Sequence, residues 1–309
     1  MALLIKPGRE PVDAWIKAIT AEIPDLEIRL WPEVGDRAGI EYILANDLPD
    51  GEFSTFPNLK FVAGTAVGVE RLLRDESLPA HVPILRGANR ERAMTMGAWV
   101  TYHVIRHHRR FDEYRANQAA KTWEQLKYAP PETVRVGVMG LGNLGAAAAR
   151  YLAGFGYTVA GWARSKKDMP GIETFAGQDE LDRLLARSDI LVSILPNTEG
   201  TKGLLTRERL LTLPQGAYVI NSGRGTLIDE DALLELIDGG HLSGAALDVF
   251  QTEPPPPEHP FWTHPRITMT AHHSCMGRAS YGAEVIVDAI RKLRAGEPVT
   301  RVVDKAEGY

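Results

Sequence analysis

A glycine-rich step between an apolar run and a run of alanines constrains the fold of this chain more than any other stretch. Three valines spaced two apart, in the segment 134–139, predict a buried strand that ends near Met139. The next six residues, 140–145, read Gly-Leu-Gly-Asn-Leu-Gly, and four helix-forming alanines follow. A strand, a tight glycine turn and a helix in this order are typical of a dinucleotide-binding βαβ unit.

Each glycine of the turn has its own part in this interpretation. Gly140 permits the tight turn, Gly142 lets a pyrophosphate approach the backbone, and Gly145 lets the helix pack closely on the strand. Asn143 and Leu144 lie between them, where the free amides of the helix N-terminus would hold the phosphates. A second strand predicted over 158–162 completes the unit. The alternative is a tight strand-to-helix turn that binds no ligand.

Length and charge limit the remaining classes of protein. The 309 residues exceed the size at which one core usually divides, so two domains are expected. A net charge of -5 gives no basic surplus for a nucleic acid or an anionic membrane, and no segment reaches the ~18 apolar residues of a membrane span. The single cysteine, Cys275, excludes an internal disulfide and a cysteine-based zinc cage, and no metal site is expected. We expect a cytoplasmic protein that acts on a small molecule.

The first third of the chain predicts a small α/β unit of its own. Strands are expected over 2–5, 26–30, 41–45 and 60–63, with a helix from Pro11 to about residue 21. A longer helix is expected over 93–109, with Met96, Val100 and Val104 on one stripe. Three histidines of this helix are expected to face solvent or an interface: His103, His107 and His108.

Strands and helices continue to alternate after the glycine turn. Strands are predicted over 189–195, 217–221, 244–249 and 266–270, and helices over 181–186, 207–213 and 231–238. In an open parallel sheet, ligands bind just beyond the carboxyl ends of the strands. The last three of these strands lead into Arg224, Glu253 and His272, which we therefore expect near the cofactor.

These three side chains have a joint chemical logic. Arg224 can fork onto a substrate carboxylate and polarise the neighbouring carbonyl. Glu253 can bond one ring nitrogen of His272 and keep the ring protonated, so that His272 donates a proton to the carbonyl oxygen as hydride reaches its carbon. The alternatives are a surface arginine, a loop glutamate and a histidine satisfied by backbone. His273, the next residue, competes with His272 for the role of acid.

The residues after the second βαβ strand predict the cofactor. NAD-specific folds place an acid there for the ribose hydroxyls, whereas this chain has Ala163. Arg164, Ser165, Lys166 and Lys167 follow, where a 2′-phosphate would lie. The alternative is a solvated basic loop. We predict NADP(H) as the cofactor, with NAD(H) weaker.

Several motifs together resemble one known family. They are Arg109–Tyr114, Gly140–Gly145, Leu195–Thr198, Asn221–Gly225, Leu247–Phe250 with Glu253–Pro254, and the closing Glu307–Tyr309. With these the sequence resembles the D-2-hydroxyacid dehydrogenases over nearly its whole length, and within them the branch that reduces glyoxylate and hydroxypyruvate.

The resemblance implies a fold, a reaction and a set of contacts. The implied fold is α/β with two doubly wound parallel-sheet domains, in which a Rossmann-type domain, 99–275, is inserted into a smaller flavodoxin-like substrate domain, 1–98 and 276–309. The last helix, from about Ala279, would complete the substrate domain. The implied reaction is NADPH-dependent reduction of small 2-keto acids by a homodimer built around the long helix. Further contacts are implied for the substrate at Val67, Gly68 and Asn46, and for the cofactor at Leu195, Pro196, Thr201, Ser222, Gly223 and Asp248.

Departures from the family pattern and two other classes of protein stay open. The usual Thr-Pro-His is Thr270-Ala271-His272 here, and loss of the proline makes His273 a rival. Glu70 is a mild change, whereas Ala98 and Asn46 replace residues common in relatives and leave the substrate preference open. A SAM-dependent methyltransferase also opens with a glycine-rich turn, although it needs no Arg, Glu and His set. A non-catalytic protein that senses the cofactor could keep the same residues.

Overall fold

The computed structural model describes residues 1–6, 8, 11–65, 68–87 and 90–305. Val67 and the closing Glu307–Tyr309, both used above, lie outside these residues. The chain forms two compact units: Met1–Glu91 with Gly277–Tyr309, and Arg92–Met276. The second unit is therefore inserted, along the chain, between two segments of the first.

The described residues form strands and α-helices that alternate along only part of the chain. The strands are β1 Ala2–Ile5, β2 Glu27–Leu30, β3 Ile40–Leu44, β4 Phe61–Ala63, β5 Ile84–Leu85, β6 Arg135–Met139, β7 Thr158–Ala163, β8 Glu173–Ala176, β9 Ile190–Ser193, β10 Ala217–Asn221, β11 Leu242–Leu247 and β12 Ile267–Met269. The α-helices are α1 Val12–Glu22, α2 Glu70–Arg74, α3 Arg90–His108, α4 Phe111–Ala119, α5 Asn143–Gly154, α6 Leu181–Ala186, α7 Arg207–Leu211, α8 Glu230–Asp238 and α9 Ala279–Arg294.

The first unit is a five-stranded parallel sheet in the order β2-β1-β3-β4-β5. This is the flavodoxin-like order. All four residues of β1 are buried, as expected for a parallel strand covered on both faces. The last helix, α9, packs on α1 so closely that a Cβ on Gly282 would lie 2.2 Å from the Trp15 ring. The predicted final helix is therefore confirmed, and it completes this unit.

The second unit is a seven-stranded parallel sheet in the order β12-β11-β10-β9-β6-β7-β8. The strand order reverses between β6 and β9, which is the topological switch point of a Rossmann-type sheet. Because every strand is parallel, the carboxyl ends of β6, β9, β10 and β11 lie on the same side of the sheet, at Met139, Ser193, Asn221 and Leu247. The predicted α/β class with two parallel sheets is confirmed.

Some local expectations were wrong, and each has a physical reason. The strand expected over 189–195 is only Ile190–Ser193, since the apolar run continues as a turn beyond the sheet. The elements β5, β8, α2 and α4 were missed because they are short or lack a buried stripe; no residue of α4 is buried.

The histidines of α3 were expected at the surface, and for two of them this is wrong. His103 is only 2% exposed, and His108 is buried with its ring nitrogens 2.9 Å from the Tyr157 hydroxyl and 2.7 Å from the Ala129 carbonyl oxygen. His107 stacks on the Tyr218 ring at 4.0 Å. Burial lowers the pKa of both His103 and His107 to about 4. The rings of His103 and His107 are therefore neutral at pH 7.

No helix in the described ranges is long and apolar enough to cross a membrane.

We expect the buried His103 to make the protein less stable in mild acid. Its pKa is about 4 in the folded chain against 6.5 for the unperturbed group. The contribution of His103 to the free energy of unfolding is therefore fully present above pH 6.5, and it is lost at lower pH, where the unfolded chain binds a proton that the folded chain does not. His103→Phe should reduce the loss of unfolding free energy between pH 7 and pH 5 by about 2 kcal/mol. Urea unfolding at both pH values measures this. Tyr102→Phe on the same helix should leave the loss unchanged, and an equal loss in parent and His103→Phe contradicts the expectation.

Candidate active site

The glycine turn has the geometry that a dinucleotide requires. Gly140 has a φ of +99°, which favours glycine, and a Cβ on Gly145 would lie 1.7 Å from the Gly140 carbonyl oxygen. A Cβ on Gly142 would meet no described protein atom within 4 Å, so the outer side of the turn is open. Helix α5 begins at Asn143, inside the turn, which places the amides of Asn143 and Leu144 at its N-terminus. The residues present fit a pyrophosphate.

The end of β9 and the turn after it lie, like the glycine turn, at the carboxyl-terminal ends of the strands. The Thr201 hydroxyl donates to the Pro196 carbonyl oxygen at 2.6 Å and accepts from the Thr198 amide at 2.9 Å, which closes the turn that follows Leu195. Among the described residues, the buried Ser193 hydroxyl has no hydrogen-bond partner. An unpaired buried hydroxyl beside the switch point is consistent with a polar ligand at this edge.

The loop after β7 carries the exposed cations expected at the ribose. Arg164, Ser165, Lys166 and Lys167 are all exposed. The Lys166 ammonium donates to the Thr174 carbonyl oxygen, and the Thr174 hydroxyl donates to the Lys167 carbonyl oxygen at 2.7 Å. The unpredicted strand β8 therefore shapes this loop, because Thr174 belongs to it. Lys166 is therefore partly used in a contact within the loop.

The loop after β10 presents Arg224. The Asn221 side chain accepts from the Gly223 amide at 3.1 Å and donates to the Arg224 carbonyl oxygen at 3.0 Å, which determines the shape of the loop. Arg224 is half-buried and its Nη1 donates to the Gly223 carbonyl oxygen at 2.8 Å. Ser222 is buried, and its hydroxyl points to the Met96 sulfur at 3.2 Å. The cofactor contacts implied for Ser222 and Gly223 stay predictions.

The structure places Glu253 directly against His272. The Nδ1 atom of His272 lies 2.7 Å from Oε2 of Glu253, and the other oxygen of Glu253 accepts from the Phe250 amide at 3.1 Å. Burial alone would raise the pKa of Glu253, but its hydrogen bonds with His272 and Phe250 and the nearby charge of Arg224 outweigh it, so the pKa is lowered. Glu253 is therefore a carboxylate at neutral pH. A carboxylate can only accept, so Nδ1 carries a hydrogen and Nε2 is the atom left to face a substrate.

One buried carboxylate, Asp248, holds the loop that carries His272. Asp248 is 0% exposed, and its oxygens accept from the Thr270 hydroxyl at 2.5 Å, the His273 amide at 2.7 Å and the Ser274 amide at 2.8 Å. Burial raises its pKa, yet these hydrogen bonds outweigh burial and leave the pKa lowered. The His272 amide also donates to the Asp248 carbonyl oxygen at 2.8 Å. Sequence reasoning assigned Asp248 to the cofactor and missed this structural role.

The candidate substrate residues of the other unit lie at the carboxyl edge of its own sheet. The Asn46 side chain follows β3 and donates to the Thr65 hydroxyl at 2.7 Å, beyond the end of β4. Gly68 is described, whereas Val67 lies outside the described residues. Contacts of all three with a substrate stay predictions. Over the described ranges, no three His, Cys, Asp or Glu side chains are grouped to hold a metal ion.

Comparisons with known proteins agree with this geometry. Residues 101–274 match the family model described as D-isomer specific 2-hydroxyacid dehydrogenase, NAD binding domain. A glyoxylate/hydroxypyruvate reductase A of Salmonella newport is 37% identical over 300 residues, which are 96% of each chain.

Two solved structures are similar over the full chain. A D-isomer specific 2-hydroxyacid dehydrogenase of Xanthobacter autotrophicus in complex with NADPH and MES has a TM-score of 0.96 at 37% identity, covering 100% of this chain and 99% of that one. An NADPH-dependent glyoxylate/hydroxypyruvate reductase of Sinorhizobium meliloti in complex with NADP and sulfate has a TM-score of 0.93 at 33% identity, covering 100% of both.

The contact with Glu253 favours the prediction that His272, rather than His273, is the acid. His272→Gln should reduce turnover ~100-fold or more with little change in cofactor binding, because glutamine keeps a similar volume and cannot supply the proton. His273→Gln is the matched control and should stay within ~3-fold of the parent, since His273 contributes its backbone amide to Asp248. Steady-state rates with a 2-keto acid measure both. A crippled His273→Gln beside an active His272→Gln would reverse the assignment.

Proposed function

This chain belongs to the D-isomer-specific 2-hydroxyacid dehydrogenase family, and we propose that it catalyses NADPH-dependent reduction of small 2-keto acids, such as glyoxylate and hydroxypyruvate, to 2-hydroxy acids. The observation that carries the proposal is the contact of 2.7 Å between His272 and Glu253, close to Arg224 and at the sheet edge that holds the glycine turn. A protein that only sensed the cofactor would not need an oriented histidine there.

The reaction divides between the cofactor and three side chains. NADPH, when bound, supplies the hydride that adds to the carbonyl carbon. Arg224 binds the substrate carboxylate and stabilises the negative charge that develops on the carbonyl oxygen. His272 donates the proton from Nε2 to that oxygen, and Glu253 orients the ring and stabilises its positive charge. Carbon gains the hydride and oxygen the proton, so the carbonyl becomes an alcohol.

The preference for NADPH is supported by the loop after β7. Ala163 occupies the place of the ribose-binding acid, so no carboxylate there repels a 2′-phosphate. The guanidinium of Arg164 can fork onto the phosphate and stack on the adenine, with Ser165 and Lys167 beside it. Relatives with the same fold are described in complex with NADPH or NADP. We expect NAD(H) to bind more weakly, because it lacks the 2′-phosphate with which these side chains form charge-assisted contacts.

The proposed assembly is a homodimer built on α3, α4 and the segment 120–130, here called the arm. The arm has a defined shape, because the Leu126 amide donates to the Tyr114 hydroxyl at 3.0 Å and Arg109 covers the Tyr128 ring at 3.8 Å. Trp123 in the arm is nevertheless 99% exposed, and Tyr102 on α3 is 58% exposed. Exposed aromatic side chains on an ordered segment are typical of protein interfaces. A second copy of the chain is the proposed occupant.

Two features of the proposal stay predictions from the sequence alone. They are the cytoplasmic location and the carboxylate contact of Val67 and Gly68. Asn46 departs from its relatives at the expected substrate contact, so the assay below compares glyoxylate, hydroxypyruvate and larger keto acids.

A panel of 2-keto acids, followed by cofactor consumption at 340 nm, tests the proposed function. We expect oxidation of NADPH with at least one small 2-keto acid, and kcat/KM on the order of 100-fold higher with NADPH than with NADH, from two or three charge-assisted contacts. Arg164→Ala should raise the KM for NADPH and leave the KM for NADH nearly unchanged. The matched control is Arg183→Ala, an exposed arginine elsewhere in the same unit. No turnover with any keto acid refutes the reductase, and equal efficiency with both cofactors refutes the preference.

Sedimentation velocity tests the homodimer. We expect the parent to sediment at about 68 kDa, twice the chain mass of 34.0 kDa. Trp123→Ser should raise the dissociation constant of the dimer at least ~10-fold, because it removes a large aromatic side chain from the interface. Phe155→Ser, which removes another exposed ring in the same unit, is the control and should not change the dissociation constant. A parent that is monomeric at micromolar concentration contradicts the proposal.

A further inference from the structure

One face of α3 contacts the loops of two catalytic side chains. Arg92, Thr95 and Met96 are spaced three and four residues apart, which places them on the same face of the helix. The Met96 sulfur accepts a hydrogen bond from the hydroxyl of Ser222, which precedes Arg224 by two residues. Arg92 and Thr95 reach the other loop, three and four residues after His272.

The contacts of Arg92 and Thr95 are made to backbone. Arg92 Nη1 donates to the Cys275 carbonyl oxygen at 2.9 Å, and the Cys275 thiol lies 3.6 Å from the Arg92 carbonyl oxygen. The Thr95 hydroxyl donates to the Met276 carbonyl oxygen at 3.0 Å. Arg92 is only 6% exposed. A buried guanidinium is costly unless it is well paired, so its position there indicates a specific structural use.

The loop that Arg92 holds is conformationally demanding. His272 has a φ of +51°, in the left-handed region that residues other than glycine rarely adopt. Such a conformation persists only where the surroundings over-determine it. Asp248 binds the residues 270–274, which include His272, while α3 binds 275–276. The loop is thus held from both sides, by a strand end and by a helix.

We propose that Arg92 is a positioning residue for His272 and that it acts through the backbone of Cys275. By anchoring the end of the loop it keeps His272 in the left-handed conformation, with Nδ1 on Glu253 and Nε2 directed to the carbonyl oxygen. A displacement of about 1 Å at a catalytic group can lower the rate by ~100-fold. This inference rests on the proposed reductase function, because His272 matters here as its acid.

Arg92→Met tests the proposal through two readouts. We expect kcat to fall ~10-fold or more, while KM for NADPH and for the keto acid stays within ~2-fold, since binding groups are untouched. Hydrogen–deuterium exchange should rise in 270–276 and not elsewhere in 92–276. Arg92→Lys, which keeps a donor and the charge, should recover much of kcat. Arg90→Met, an exposed arginine two residues earlier, is the matched control and should behave as the parent.

The outcomes separate this inference from the function on which it rests. Normal kcat in a folded Arg92→Met protein overturns the positioning role, as does faster exchange throughout 92–276 together with a changed KM for NADPH. A parent that reduces no keto acid refutes the reductase. In that case, hydrogen–deuterium exchange in 270–276 that is the same in Arg92→Met as in the parent would by itself overturn the positioning role of Arg92. If Arg92→Met does not fold, Thr95→Val takes its place, with the same local rise in exchange as support and its absence as refutation.

Discussion

The buried carboxylate of Asp248 is the interaction on which the catalytic side of the structure depends. A charge that is 0% exposed must be satisfied by hydrogen bonds, and here the donors come from one short loop. Three bonds to the carboxylate oxygens and one to its own carbonyl oxygen leave residues 270–274 little freedom. The left-handed conformation of His272 follows, and with it the direction in which the ring faces Glu253.

The electrostatics of the site follow from the same arrangement. Burial raises the pKa of both Asp248 and Glu253, but their hydrogen bonds outweigh it and leave each pKa lowered. The two carboxylates nevertheless differ in use. Asp248 has its oxygens occupied by the loop, whereas Glu253 meets a ring nitrogen and lies within the field of Arg224. One anion therefore shapes the backbone, and the other is available to stabilise a cationic histidine during proton transfer.

Helix α3 connects features that look unrelated along the chain. Its first turns bind the His272 loop through Arg92 and Thr95 and the Arg224 loop through Met96. Its last turn holds His108, whose Nε2 donates to the Ala129 carbonyl oxygen at the end of the arm. The loops of the proposed catalytic side chains and the proposed dimer surface thus share one helix.

The sequence by itself determined the class of fold, the glycine turn and the strand ends that present Arg224 and His272. These are local consequences of hydrophobic periodicity, glycine geometry and the parallel alignment of strands. The edge strand β8, the burial of His103 and His108, and the use of Asp248 were decided only by the tertiary structure. Asp248 and His108 depend on partners distant along the chain, since Asp248 accepts from the Ser274 amide and His108 contacts the Tyr157 hydroxyl. Packing in the folded structure determines which donor satisfies a buried charge. A pattern of residue types along the chain does not show which donor that is.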